Sequence, residues 1–142
     1  MGMETIGVGV IGLRMGRGHL VGYQQNPRTQ IIGVCDPDEA LLAQRKDEFG
    51  ATVASTDYRD LLEIPEIGIV SVASPDYYHA EQAIAAMEAG KDVLCEKPLT
   101  LNMEEAKAII AAVEATGRRF MIGQVCRFAP GFMLAKRLID RG

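Results

Sequence analysis

The chain has 142 residues, of which 48 % are hydrophobic and 24 % charged, and a formal net charge of −4. That length suits one compact domain, and the composition excludes disordered, collagen-like and membrane-spanning classes. The negative balance offers no basic field for gathering phosphate backbones, so no nucleic-acid partner is expected.

Short apolar runs alternate with longer amphipathic segments, the pattern of βα units wound into a parallel sheet. Six strands are expected: Thr5 to Ile11, Gln30 to Cys35, Ala51 to Ala54, Ile67 to Ala73, Lys91 to Cys95 and Phe120 to Val125. The fold class is therefore α/β, a Rossmann-type doubly wound, mainly parallel sheet with helices on both faces. Between strands, Ala80, Ala83, Ile84 and Met87 recur at helical spacing, and Gly90 closes that helix. A second helix carries Met103, Ala106, Ile110 and Val113 on one stripe. Asn102 is its expected N-cap, Glu105 completes a capping box, and Gly117 ends it. A last helix is read over Phe132 to Arg141.

Three cysteines, Cys35, Cys95 and Cys126, lie in or beside apolar runs, and an odd number cannot complete a disulfide framework. Buried thiols in a reducing cytoplasm are expected. The N-terminus carries no secretory-leader pattern, and no apolar run is long enough to span a membrane. His19 and His79 have no metal-ligand spacing and the cysteines form no CxxC pair, so no metal site is expected.

In a doubly wound sheet, ligands bind over the carboxyl ends of the strands where strand order reverses. The first such end is glycine-rich. Strict GxGxxG spacing falls on Gly7, Gly9 and Gly12, but the first two lie inside the strand. The usable turn is Gly12, Leu13, Arg14, Met15 and Gly16. There Gly12 makes the tight turn and Gly16 permits close helix packing, while backbone N–H groups and the helix dipole face a pyrophosphate. A generic βα turn is the alternative. Arg14, standing where a second glycine usually sits, either meets a phosphate or points into solvent.

Asp36 ends the second strand 24 positions after Gly12. It either accepts from the adenosine ribose hydroxyls, which favours NAD over NADP, or caps the next helix with Pro37 in the first helical position.

Two further strand ends carry Ser74, Pro75, Asp76 and His79, then Cys95, Glu96, Lys97 and Pro98. With the first loop, DYRDLL from Asp57 and GQVCRF from Gly123, these motifs resemble the Gfo/Idh/MocA oxidoreductase family over essentially the whole chain. The resemblance implies an NAD(P)-dependent dehydrogenase of a sugar, sugar acid or cyclitol. It places Lys97 at the reaction centre as catalytic residue, with Ser74, Pro75, Asp76, His79 and Glu96 lining the cofactor.

Alcohol oxidation needs a hydride acceptor and loss of a hydroxyl proton, and a nearby ammonium can orient the hydroxyl and stabilise alkoxide charge. Without the resemblance, Lys97 reads as a solvated strand-end lysine. Glu96 pairs with Lys97 or with a backbone N–H. Pro98 is structural, with a cis bond as one option. His79 reads as a packed or cofactor-contacting residue rather than a general base, and His19 as packing behind the phosphate loop.

The family pattern also implies a second, substrate-binding domain and a homo-oligomer whose interface lies mostly there. Because the chain stops at Gly142 before such a domain, residues 1–142 are expected to form one cofactor domain that binds NAD without turnover. A non-enzymatic dinucleotide sensor is the competing function, and a methyltransferase-like nucleotide domain a third.

Overall fold

The computed structural model describes residues 5–142. Six strands form a single sheet: β1 (Ile6–Ile11), β2 (Thr29–Cys35), β3 (Val53–Ser55), β4 (Ile67–Val72), β5 (Asp92–Cys95) and β6 (Phe120–Ile122). The helices are α1 (Gly16–Gln25), α2 (Glu39–Phe49), α3 (Tyr58–Leu62), α4 (His79–Glu88), α5 (Met103–Thr116) and α6 (Pro130–Arg141). Short 3-10 turns cover Asp76–Tyr78 and Val125–Phe128.

Strand order is β3-β2-β1-β4-β5-β6 with every neighbour parallel, the expected doubly wound sheet. Order reverses between β1 and β4. Register aligns the strand ends, pairing Ile11 with Cys35 and Val72, and Cys95 with Val72 and Ile122. The residues that follow therefore leave the sheet in one row: Gly12, Asp36, Ala73, Glu96 and Gly123.

Side chains alternate between two apolar layers, as the two-residue strand period requires. Val8, Val10 and Val34 pack with Leu20 of α1 and with Leu42 and Phe49 of α2. Ile11, Val70 and Val72 pack with Leu61 of α3, Ala83 and Met87 of α4, and Ile109 of α5.

Several boundaries differ from the sequence reading. Thr5 and Lys91 precede their strands, β3 starts at Val53 rather than Ala51, and β4 ends at Val72. Thr29 joins β2. β6 is only three residues long, because the chain leaves the sheet at Gly123 and turns at Val125. α6 starts two residues earlier than expected, with Pro130 in its first turn.

The α5 stripe is a correction. Met103 and Ile110 are exposed, whereas Ile109 and Ala112 are buried and Val113 packs on the core. Asn102 does cap α5 by accepting from the Glu105 N–H at 2.9 Å, but Glu105 accepts from the Leu101 N–H at 3.3 Å, so half the capping box forms. Gly117 ends it in a left-handed conformation. Cys35 and Cys95 are buried as expected, but Cys126 is exposed. All of α6 is exposed, including Phe132, Leu134, Leu138 and Ile139.

Candidate functional site

At the end of β1 the chain must turn while pressed against β4. Gly12 does so at φ +84°, and a Cβ there would lie 2.5 Å from the Ser74 nitrogen. Its N–H donates to the Cys35 carbonyl at 2.8 Å. α1 then closes onto β1, since a Cβ on Gly16 would meet Val10 Cγ1 at 2.7 Å. These are the two roles read for Gly12 and Gly16.

Leu13 turns its side chain fully into the core and donates its N–H to Asp36 Oδ2 at 2.8 Å. Among the described residues, the N–H groups of Arg14 and Met15 have no protein acceptor. They stand at the start of α1, where the dipole favours an anion.

Asp36 is buried, and both its oxygens are engaged: Oδ2 by Leu13 and Oδ1 by the Asp38 N–H at 3.0 Å. The helix-cap reading of Asp36 and Pro37 is corrected here. The cap of α2 is Asp38, which accepts from the Leu41 N–H at 3.1 Å, and the helix starts at Glu39. Asp36 instead staples the glycine turn to the β2 end. A carboxylate oxygen carrying one N–H keeps a lone pair for a hydroxyl. Arg14 points largely into solvent, as one of the two readings had it, and there reaches Asp38 Oδ2 at 3.1 Å.

These residues open on a cleft of about 830 Å³ above the carboxyl ends of β1, β2 and β4, a size normal for a ligand site. Gly12, Arg14, Met15 and Asp36 line one side, and Ser74 and Pro75 line the β4 side. Ser74 Oγ donates to Gln82 Oε1 at 2.6 Å. The outer end is closed by groups the sequence reading did not assign. Tyr58 donates to Glu81 Oε1 at 2.8 Å, Arg59 reaches the same oxygen at 3.2 Å, and its guanidinium lies 4.7 Å from the Tyr58 ring centre. Burial, then the Glu81 bond and charge, push the Tyr58 phenol up to about 12, so it acts as a donor. Cys35 also lines the cleft. Burial, followed by the charges of Asp36, Asp57 and Asp60, pushes its thiol up to about 12, which leaves it neutral and unreactive near pH 7.

Further along the row, Glu96 lies at the β5 end, its N–H bound to the Val72 carbonyl at 2.8 Å. Its Oε2 accepts the Lys97 N–H at 3.0 Å and its Oε1 lies 3.0 Å from His19 Nε2. The open choice for Glu96 is thus settled as a backbone N–H plus His19, with Lys97 supplying no ion pair. Burial would raise the Glu96 carboxyl, but the His19 and Lys97 bonds and charges outweigh it and hold it below the ordinary carboxylate value. Lys97 is exposed, and the bond to Pro98 is cis.

His79 is buried, with Nδ1 2.8 Å from the Pro98 carbonyl and Nε2 3.0 Å from the Ser74 carbonyl. It ties the β4 and β5 turns together, in keeping with a packed residue rather than a base. Asp76 opens the 3-10 turn beside it, half-buried.

The structure therefore gathers Gly12, Arg14, Met15, Asp36, Ser74 and Pro75 around the cleft, and places Glu96, Lys97 and His79 at the adjoining strand end. Leu13 takes part through its backbone alone. Among the described residues there is no metal-binding cluster of His, Cys, Asp or Glu.

Comparison with known proteins agrees with this geometry. The Gfo/Idh/MocA family model, described as an oxidoreductase family with an NAD-binding Rossmann fold, matches residues 6–124. Levoglucosan dehydrogenase of Pseudarthrobacter phenanthrenivorans is 36 % identical, matched over 99 % of this chain and 38 % of that protein. The NAD(+)-dependent scyllo-inositol 2-dehydrogenase of Bacillus subtilis is 38 % identical over 82 % of this chain and 34 % of its own length. A crystal structure of scyllo-inositol dehydrogenase from Lactobacillus casei, with NAD(H) and scyllo-inositol bound, superposes with a TM-score of 0.92 at 28 % identity. It covers 98 % of this chain and 42 % of that one. The chain thus spans roughly two fifths of the proteins it matches. It belongs to the Gfo/Idh/MocA oxidoreductases and has the fold of their NAD-binding domain.

Proposed function

We propose that residues 5–142 act as a single cofactor domain, binding NAD(H) in the cleft over β1, β2 and β4. In a protein of its relatives' length, the domain serves a dehydrogenase of a sugar, sugar acid or cyclitol. The observation that carries this reading is the turn itself. Among the described residues the N–H groups of Arg14 and Met15 have no protein acceptor and stand at the α1 start, and the Asp36 carboxylate is fixed beside them by Leu13.

In this reading Gly12 to Gly16 hold the pyrophosphate, Asp36 accepts from the ribose, and Ser74 and Pro75 form the β4 wall, with Asp76 in the turn that follows. The acidic site rejects a 2′-phosphate, so NAD is preferred over NADP. When bound, the nicotinamide accepts or returns the hydride. Lys97, on its exposed turn, orients the substrate hydroxyl and stabilises negative charge as the proton leaves. Glu96 fixes the Lys97 backbone, and His79 holds the two turns in register.

The isolated chain binds cofactor without turnover: it spans about two fifths of the length of the dehydrogenases it matches. The exposed apolar residues of α6 support packing against further polypeptide, either a substrate domain or a second subunit of a homo-oligomer. A cytoplasmic site fits the buried thiols Cys35 and Cys95, and no helix among the described residues is long and apolar enough to cross a membrane.

Lys97→Ala in a protein of full family length should lower turnover by roughly 10²- to 10⁴-fold with NADH affinity unchanged. Unchanged turnover would remove Lys97 from the chemistry. A wild-type protein that binds NADH yet oxidises no member of a sugar and cyclitol panel would point instead to a dinucleotide sensor.

A further inference from the structure

Asp36 has a second acid beside it, and that acid holds a guanidinium. Asp38 is positioned by its own N–H on Asp36 Oδ1, and its two oxygens divide their work. Oδ1 caps α2 through Leu41, while Oδ2 holds Arg14 at 3.1 Å. The ion pair thus spans from the phosphate turn to the β2 end, and both partners line the cleft. The other guanidinium in the lining, Arg59, is engaged by Asp57 and Glu81. Every guanidinium in the cleft wall therefore has a carboxylate partner, and four carboxylates, Asp36, Asp38, Asp57 and Glu81, face two guanidiniums.

We propose that the Arg14–Asp38 pair sets dinucleotide selectivity: Asp38 occupies the one guanidinium placed to receive a ribose 2′-phosphate and so withholds it. This rests on the cofactor reading of Asp36. Arginine is the side chain best suited to bind phosphate through two parallel bonds, and Arg14 shares the cleft lining with Asp36, the acid read as ribose ligand, to which its partner Asp38 is bound. Its pairing with Asp38 turns a potential 2′-phosphate site into an acidic, NAD-selective one. The selectivity thus comes from two acids, Asp36 repelling the 2′-phosphate and Asp38 holding the arginine that offsets the repulsion.

Asp38→Asn tests this, because asparagine caps a helix as well as aspartate and removes only the charge. NADH and NADPH are titrated separately into the chain and its variants, following nicotinamide fluorescence. The ratio of NADPH to NADH affinity should rise about tenfold, the effect of one additional exposed charge-assisted hydrogen bond. Asp38→Ser, a second neutral cap, should give the same rise. The rise should shrink as salt is raised and vanish in the Arg14→Ala/Asp38→Asn double variant. A ratio unchanged in both neutral variants, or a rise that persists without Arg14, overturns the proposal while the cofactor reading stands. Wild-type protein that binds neither dinucleotide removes both.

Discussion

Replacing Asp36 with alanine removes a carboxylate that organises two backbone segments at once. Leu13 is fully buried, so its N–H loses the acceptor it has among the described residues, while the Asp38 N–H, in a half-buried turn, can turn to water. An unpaired buried donor costs about 1–3 kcal/mol, and with the Asp38 hydrogen bond also broken the expected destabilisation is about 2–3 kcal/mol. For a chain near this length, each kcal/mol lowers Tm by roughly 3–4 °C, so Asp36→Ala should melt about 6–12 °C below wild type. Asp36→Asn should fall between them, since one amide oxygen serves one N–H and the amide nitrogen faces the other donor. Urea unfolding with an unchanged m-value checks that the loss is one of native stability. If Asp36→Ala melts within about 2 °C of wild type, a shift below what one broken hydrogen bond produces, the staple is not energetically real.

Three other outcomes follow from the geometry. Gly12→Ala meets both a positive φ and the Ser74 nitrogen at 2.5 Å, so it should cost at least about 3 kcal/mol or abolish folding, read by thermal melting. The Glu96 carboxyl is held below its ordinary value, so its stabilisation is present above the unfolded-state pKa of about 4.3 and is lost as pH falls through the lower folded value. The stability gap between wild type and Glu96→Gln should accordingly be full at pH 6 and close as the pH falls below about 4; a gap independent of pH contradicts the pairing. At pH 8 a thiol reagent should label Cys126 first, because Cys95 and Cys35 are buried with thiols pushed up to about 12. Equal labelling of all three would contradict that order.

The strands and their doubly wound, parallel arrangement were legible because buried parallel strands read as short apolar runs and the βα alternation leaves few windings. Gly12, Gly16 and the row of strand ends followed from the same logic. The α5 face was not legible. Its segment is rich in alanine and isoleucine, so two apolar stripes overlap at Val113, and only packing against α4 decides that Ile109 rather than Ile110 faces inward. The cap reading of Asp36 failed because CDPD offers two aspartates around one proline, and the glycine turn claims the first through the Leu13 N–H. The pairs that order the site join residues far apart in sequence, Arg14 with Asp38 and His19 with Glu96, and no local spacing encodes them. The Tyr58, Arg59 and Glu81 closure was missed for the same reason. Asp57, which caps α3 through the Arg59 N–H, was its one local signal.

The most direct test of the central claim is an NADH titration of this chain and of Asp36→Ala, followed by nicotinamide fluorescence, with no tryptophan present to interfere. Saturable binding by wild type, weakened in Asp36→Ala, is the predicted result. Absence of saturable binding, or affinity unaffected by the loss of Asp36, would contradict the placement of the cofactor in this cleft.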